Sequence, residues 1–310
     1  MFVEKREHVV SKKYVARQFA SIGLLLIIYA LFTLIIPLVL NIYFQEAAQE
    51  IVEDKLMYYG IYLIIILFGT VIPFFLMRKL FKVTLRRFNQ SIAASFIDLF
   101  VQAIVFFVVC IALTYISNLL FSYMGMEGKL ISGIGLSYDD ANLTYPLYVF
   151  MLIFVTPLLE EYAFRGVLLN VLSRYGKRFA LVASSVIFAL AHLNFAEMIP
   201  AFVMGIQLGK TELRYKSIQP TIVIHVLFNA LIYALCVIPA SITKYMAYGL
   251  AAIVFIAAYL IISGRYERIR IKKLHKSKTT NILFYTSPTI LIAMLLMILH
   301  SVLFSYISSR

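Results

Sequence analysis

The sequence predicts an all-α fold, a polytopic transmembrane helix bundle with about eight or nine membrane helices. Hydrophobic residues make up 62% of the 310 residues and charged residues 14%, and the mean hydropathy is +0.91. Soluble domains average roughly 45–50% apolar and about 25% charged residues. The apolar residues also fall in runs, several of which reach the roughly 17–25 residues that a helix needs to cross a bilayer.

Nine apolar runs are candidate membrane spans. The first follows a basic N-terminus, but it is longer than the roughly 7–15-residue core of a secretory signal, so we expect it to be retained as a span. The fifth and sixth are short and predict either one broken element or two abbreviated helices. In chain order the runs are 18–44, 56–77, 97–122, 145–172, 179–195, 198–209, 219–239, 243–263 and 282–305.

The segments between these runs predict the orientation of the chain. Basic segments alternate with acidic or polar loops, and by the positive-inside rule the basic segments lie in the cytoplasm. We therefore expect a cytoplasmic N-terminus, external loops at 46–55 and 123–144, and a cytoplasmic segment at 265–278. Because this pattern accounts for the net charge of +13, the lipid bilayer and not nucleic acid is the expected partner. The frequent use of Lys, Ile and Phe is typical of a low-GC bacterium, so we expect a bacterial plasma membrane.

Polar residues divide the chain into three parts. The parts 1–144 and 240–310 supply the first three and the last spans, and the part 145–239 carries nearly all of the polar residues found inside spans. Ionisable residues in hydrocarbon are costly, rare and usually paired or functional. Those of the middle part, with one amide, are Glu160, Glu161 and Arg165 in span four, His192 in span five, and His225 and Asn229 in span seven.

Four of these residues are predicted to lie at a similar depth. Glu160 is 14 residues before Arg174 and His192 is 14 residues after Arg178, which is about 21 Å along a helix in each case. His225 and Asn229 follow the basic segment that ends at Lys216 by 9 and 13 residues, or about 14 and 20 Å. The four residues therefore fall within one or two helical turns of a common level.

Helical spacing also predicts which side chains share a face. Glu161 and Arg165 are four residues apart and can form an ion pair, as His225 and Asn229 can share one face of span seven. Glu160 is turned by about 100° from Glu161, so we expect Glu161 to neutralise Arg165 and Glu160 to face the histidines. Polar side chains between membrane helices can also serve only to hold the helices together.

The chemistry of this set favours hydrolysis. A carboxylate and an imidazole are the groups that activate a water molecule, and a histidine with an asparagine can donate hydrogen bonds to an oxyanion. Ser184 and Ser185 have no G-x-S-x-G motif around them, and Cys110 and Cys236 lie outside the set in apolar runs. The sequence therefore predicts peptide-bond hydrolysis without a covalent nucleophile, a disulfide framework or a cofactor.

Three motifs resemble those of the CPBP intramembrane proteases, also called the Abi or CAAX protease family. "EEYAFR" (160–165) is similar to the family's E-E-x-x-x-R motif, "FALAH" (188–192) to F-x-x-x-H, and "HVLFN" (225–229) to H-x-x-x-N, and they occur in the family's order. The resemblance covers roughly residues 145–235. It implies that 145–239 is the catalytic core.

The resemblance also implies roles for the residues. Glu160 would be the base that activates water with the help of His192, His225 and Asn229 would form the oxyanion hole, and Glu161 and Arg165 would support the site. The family includes the Ras-converting enzyme, which acts on prenylated proteins, and bacterial members associated with peptide processing and bacteriocin immunity. A membrane-associated peptide or protein is therefore the expected substrate, although its identity and the oligomeric state of the protein stay open.

Three alternatives remain open on the sequence alone. Glu160, His192 and His225 match the catalytic His₂Glu zinc ligand set, although they lack its usual short spacing on one helix. The chain could also be a non-catalytic scaffold or immunity partner with the same fold. A transporter would use intramembrane carboxylates and histidines too, but no internally related halves are visible.

Overall fold

The computed structural model describes residues 12–35, 55–84, 96–123, 144–192, 195–237 and 278–308. Over these ranges every regular element is helical, which confirms the predicted all-α bundle. The eighth predicted span, 243–263, and the loops used to predict the orientation lie essentially outside these ranges. The helices are α1 (Lys12–Ala30, continued by a π turn at Leu31–Ile35), α2 (Lys55–Leu80), α3 (Phe96–Tyr123), α4 (144–173), α5 (Lys177–Leu190), α6 (Phe195–Tyr215), α7 (Gln219–Val237), α8 (Lys278–Tyr285) and α9 (Pro288–Ser308).

Several helices have the length and composition of membrane spans. The segments Lys12–Thr33, Leu63–Leu80 and Phe96–Phe121 are long and apolar enough to cross a bilayer, and the apolar stretches Gln219–Ala234 and Pro288–Leu303 are shorter. Large apolar side chains such as Phe68, Phe75 and Leu295 point outward. Because an exposed apolar surface of this kind suits lipid and not water, the chain is an integral membrane protein.

The first and last described helices pack closely together. Gly23 of α1 faces α9, where a Cβ atom added to it would lie 2.3 Å from Thr289 Oγ1 and 2.6 Å from the Ile290 backbone nitrogen. The Thr289 hydroxyl donates a hydrogen bond to the Ala20 carbonyl at 3.0 Å. Small residues permit such close approach of membrane helices, so the absence of a side chain at residue 23 sets the spacing of this pair.

A row of aromatic side chains fixes α4 in the interior of the bundle. Phe164 of α4 lies 5.5 Å from Phe74 of α2 and 5.1 Å from Phe188 of α5, measured between ring centroids. All three rings are fully buried. Tilted and edge-on ring pairs at this separation add to the stabilisation from burial alone, so α4 is held on both sides at the level of its charged residues.

A second cluster joins α3 to α6 and α7. It contains Leu99, Ala103, Cys110, Met204, Leu208 and Ile224. Next to it, Gly205 of α6 lies against Ser185 of α5, because an added Cβ atom would be 3.0 Å from the serine Cβ. The helices α5 and α6 therefore form a tight pair between the two clusters.

The fifth and sixth spans are two separate helices with bounds that differ from the predicted ones. Helix α5 ends at Leu190, so His192 lies in the turn after the helix and not within a span running to 195. Helix α6 continues to Tyr215, so the segment 209–216, predicted to be a basic loop, is mostly helical. Its Glu212 is buried against α4 and is 1% exposed, which explains why the helix continues past the apolar run.

Three basic segments meet at one end of the bundle. Arg174, in the turn after α4, donates a hydrogen bond to the Phe81 carbonyl at the end of α2. Tyr175 packs against Phe19 near the start of α1, with 4.8 Å between ring centroids. The N-terminal end of α1, the C-terminal end of α2 and the α4–α5 turn therefore lie on the same side of the molecule.

Candidate active site

The candidate site is built on α4, a helix interrupted by two π segments. The residues Met151–Val155 and Glu161–Leu169 are π-helical, and Thr156–Glu160 is an α-helical turn between them. Backbone dihedrals stay in the right-handed helical region at the junctions, so the helix continues without a break. Each π segment changes the hydrogen-bond register locally, and such segments occur frequently at functional sites.

Asn229 supplies a hydrogen bond that the first π segment lacks. The Thr156 N–H bonds to the Met151 carbonyl, five residues earlier. In the same register the backbone N–H of residue 157 would donate to the Leu152 carbonyl. Residue 157 is Pro157, which has no N–H. The Asn229 side-chain amide of α7 donates to the Leu152 carbonyl instead, at 2.8 Å. An amide carries two N–H donors, so Asn229 keeps one more for another acceptor.

Glu161 is the centre of a buried hydrogen-bond network. Its Oε1 atom accepts from Arg165 Nη1 at 2.8 Å and from His225 Nδ1 at 2.9 Å. The Glu161 side chain is 0% exposed, and that of Arg165 is 3% exposed. The predicted pair of Glu161 with Arg165 therefore forms, and Glu161 also contacts a histidine that the sequence assigned to Glu160 alone.

His225 lies between the two glutamates. Its Nδ1 faces Glu161, and its Nε2 is 3.7 Å from Glu160 Oε2. A carboxylate paired with a guanidinium accepts hydrogen bonds, so Nδ1 carries the ring proton and Nε2 is the nitrogen directed at Glu160. The Glu160 side chain is 25% exposed, whereas that of Glu161 is fully buried, so Glu160 is the carboxylate that an external molecule can reach.

His192 approaches the network from α5. Its Nδ1 is 2.9 Å from the Phe188 carbonyl, and because a carbonyl accepts only, Nδ1 is the donor and Nε2 is left as an acceptor. The Phe188 ring lies 4.7 Å from the His192 ring and 6.2 Å from the His225 ring. Both histidine rings therefore lie near the same aromatic ring.

Sequence reasoning missed three residues that contribute to this site. Phe188 stacks under the Arg165 guanidinium at 4.0 Å, a cation–π contact that helps to hold a buried charge. The Thr221 hydroxyl lies beside the Glu161 carboxylate. The Asn170 amide bonds to the second π segment. The hydroxyl and the amide lay in apolar runs and could have been found there as polar exceptions, but nothing in the sequence distinguished Phe188 from other buried aromatics.

Three of the candidate nucleophiles that the sequence excluded, Ser184, Ser185 and Cys110, are engaged in packing contacts. Ser185 donates to the Leu181 carbonyl at 2.7 Å and Ser184 lies 3.4 Å from the same atom. Cys110 is buried in the α3–α6 cluster, with its sulfur 3.7 Å from the Pro200 carbonyl. These residues lie on α3 and α5, whereas Glu160 lies on α4 and His225 on α7.

The glutamate and histidine side chains of the site are not arranged as metal ligands in the described residues. Among the described parts of the chain, which include Glu160, His192 and His225, no group of three His, Cys, Asp or Glu side chains stands together as a metal site requires. His225 Nδ1 is engaged by Glu161, and His192 Nδ1 is engaged by the Phe188 carbonyl. The donor geometry therefore does not fit the predicted alternative of a His₂Glu zinc site.

Comparison with known proteins finds that the part of the chain carrying this buried carboxylate–imidazole set is similar to a family of membrane proteases. Residues 142–231 match the family described as type II CAAX prenyl endopeptidase, Rce1-like. This middle part of the chain is therefore similar to the CAAX protease (CPBP) family.

One relative is the membrane-embedded CAAX protease MroQ of Staphylococcus aureus (strain USA300). It is 35% identical over 94 residues, which cover 28% of this chain and 38% of the relative. The matched region thus spans well under half the length of the relative. No solved structure matches the chain.

Proposed function

We propose that this protein is an intramembrane endopeptidase that hydrolyses a peptide bond of a membrane-associated peptide or protein with water activated by Glu160. The observation that carries the proposal is the placement of a partly exposed carboxylate next to a fixed imidazole. Glu160 Oε2 is 3.7 Å from His225 Nε2, and both lie in the region that matches the CAAX protease family.

The first step is the attack of water on the substrate carbonyl. Glu160 takes a proton from the water while the water oxygen forms a bond to the carbonyl carbon. His192 assists by accepting a hydrogen bond from that water at Nε2, the nitrogen that its bond to Phe188 leaves free. The carbonyl oxygen becomes an oxyanion, and the proton held by Glu160 then passes to the amide nitrogen as the C–N bond breaks.

His225 and Asn229 stabilise the oxyanion in this proposal. Asn229 has one N–H left after its bond to the Leu152 carbonyl. His225 can donate from Nε2 only when both ring nitrogens carry a proton, and the Glu161 carboxylate at Nδ1 stabilises that imidazolium. Donors placed in advance for developing charge are a large contributor to catalysis. Glu161 and Arg165 therefore act through His225.

The substrate class follows from the depth of the site and not from a binding pocket. The reacting carboxylate belongs to a helix held inside the bundle, and large apolar side chains cover the outer surface. A substrate that lies in the membrane, such as a lipid-anchored protein or a hydrophobic peptide precursor, reaches this site from the bilayer.

Purified protein reconstituted in lipid, with a panel of membrane-associated peptides, tests the proposal. We expect Glu160→Gln, His192→Ala and His225→Ala each to abolish cleavage while the protein stays folded in the membrane. Asp98→Asn, which changes an exposed acidic residue on α3, and the double variant Cys110→Ser with Cys236→Ser are the controls and should cleave normally.

Several results would contradict the proposed mechanism. Full activity of Glu160→Gln would exclude Glu160 as the base. An acyl-enzyme trapped on a serine or cysteine would replace the activated water with a covalent nucleophile. A scaffold or immunity role would be favoured if Glu160→Gln kept the biological effect of the protein, because the change is nearly isosteric. Activity lost on chelation and restored by zinc would revive the metal alternative.

A further inference from the structure

We infer that Asn170 is a positioning residue for the Glu160–Glu161–His225 cluster, acting through the backbone of the second π segment. The inference concerns how the site is held in shape. It rests on the proposed function only where it predicts a rate, and its structural part can be tested without turnover.

The Asn170 side chain takes the place of a backbone donor. In a π register its backbone N–H would serve the Arg165 carbonyl, and in an α register the Gly166 carbonyl. The N–H bonds to the Val167 carbonyl instead. The Asn170 side-chain amide donates to both of the bypassed carbonyls, at 2.9 Å for Arg165 and 3.1 Å for Gly166.

The hydrogen bonds of the Asn170 amide hold the segment that contains the charged residues of the site. The second π segment begins at Glu161 and contains Arg165. Buried backbone carbonyls need a donor, so loss of the Asn170 amide favours a change of register that provides one. Such a change rotates Arg165 relative to Glu161, and Glu161 Oε1 is the acceptor that fixes His225 Nδ1 at 2.9 Å. The effect therefore reaches His225 without direct contact with Asn170.

A second helix fixes the direction of the amide. The Asn170 Nδ2 atom is 3.4 Å from Glu212 Oε1 of α6, and Glu212 is 1% exposed. Of the two N–H bonds of the amide, one can be shared between the two carbonyls and the other directed at Glu212. The carboxylate thus links the second π segment to α6 and orients the amide toward the helix backbone.

The parallel with Asn229 supports the inference. Each π segment of α4 has a carbonyl served by an asparagine side chain, Leu152 by Asn229 and Arg165 by Asn170. Glu160 lies in the α-helical turn between the two segments. The two amides therefore define the helix register on both sides of the proposed base.

The test is the protonation state of His225 in the full-length protein, measured by ¹⁵N NMR of histidine-labelled protein in detergent micelles. His225→Gln assigns the signal among the five histidines. We expect the wild type to keep a proton on His225 Nδ1, whether or not Nε2 is also protonated. We expect Asn170→Leu, which keeps the number of side-chain heavy atoms and is a good helix former, to give a fraction of molecules in which Nδ1 has lost its proton. Ser173→Ala is the matched control, because the Ser173 hydroxyl donates to the Leu169 carbonyl one turn earlier in the same helix, and it should leave the signal unchanged.

The second readout is the rate per folded molecule on a cleaved peptide. A displacement of about 1 Å in a reacting group can cost roughly 10²-fold, so we expect a loss of about that size in kcat for Asn170→Leu, with little change in KM. If the wild type cleaves no peptide, the proposed function fails while the NMR measurement still decides this inference. If Asn170→Leu does not fold, Asn170→Ser is measured in the same way. A wild-type His225 signal and a wild-type kcat in a folded Asn170 variant would overturn the inference.

Discussion

Arg165 is buried against the Glu161 carboxylate and the face of the Phe188 ring, so each charge depends on the other. Removing one member of a buried ion pair leaves the other uncompensated and typically costs about 3–5 kcal/mol. We expect Arg165→Ala to lower the amount of folded protein as well as its activity. Membrane abundance and thermal unfolding in detergent measure this, and a normal level with normal activity would contradict it.

A paired substitution separates the fold from the chemistry at this position. Replacing a buried ion pair by apolar residues of similar volume is often neutral for stability, so Glu161→Leu with Arg165→Met should restore folding relative to Arg165→Ala. It should not restore cleavage, because His225 Nδ1 then has no carboxylate acceptor. Recovery of cleavage in the double variant would show that Glu161 does not act through His225.

Asn229 has one observed hydrogen bond, to the Leu152 carbonyl, and one proposed role at the oxyanion, and its removal tests both. We expect Asn229→Ala to lose about 10²–10³ in rate if the amide donates to the oxyanion. The variant also leaves the Leu152 carbonyl without the donor that Pro157 cannot provide, so the unfolding temperature should fall as well. A rate loss without any change in stability would indicate that water takes the place of the amide at Leu152.

Sequence spacing predicts side-chain contacts within one helix but not contacts between helices. The Glu161–Arg165 pair follows from a separation of four residues and forms as predicted. The contact of Glu161 with His225 spans 64 residues, and it depends on how α4 and α7 are rotated against each other. That rotation is set by packing, so the sequence could place the histidines near the glutamates but could not choose between Glu160 and Glu161.

Gly23 sets the distance between α1 and α9 where the two helices cross. An added Cβ atom at Gly23 would meet the backbone of α9, whereas one at Gly60 of α2 would meet nothing within 4 Å. We expect Gly23→Ala to destabilise the protein by about 1–3 kcal/mol through overpacking. The matched control Gly60→Ala should be neutral or slightly stabilising, because alanine favours a helix by roughly 1 kcal/mol over glycine. Thermal unfolding of the two variants in the same detergent decides this, and equal effects would contradict the packing argument.

The sequence predicted which segments are helical, but it did not predict where the hydrogen-bond register of a helix changes. Hydrophobic runs predicted the long helices, and the run 145–172 agrees closely with α4 at 144–173. The two π segments within α4 were not predicted, since one extra residue in a turn changes the apolar periodicity too little to be seen. Pro157 was the available signal, because it removes an N–H inside a helix. The predicted ends of α5 and α6 were also wrong. For α6, the segment around Glu212 has the composition of a charged loop, but Glu212 is buried and the helix continues through it.

At the scale of the whole molecule, the meeting of three basic segments bears on orientation. The ends of α1 and α2 and the α4–α5 turn lie together, and the positive-inside rule places such an end in the cytoplasm. We expect a single cysteine at exposed Lys177, in a background without Cys110 and Cys236, to react with an impermeant reagent only after the cells are permeabilised. A cysteine within the loop 123–144 should react in intact cells. Reaction of the Lys177→Cys variant from outside intact cells would reverse the orientation.

The contact between Gly23 and Thr289 also has a consequence in time. The hydrogen bond from Thr289 to Ala20 joins residues 269 positions apart, so α1 emerges from the ribosome long before its partner exists. At roughly 5–20 residues per second, synthesis of the intervening chain takes about 13–54 s. During that interval the face of α1 around Gly23 must be covered by lipid or by the membrane insertion machinery, and α1 can reach its final packing only when α9 has been made.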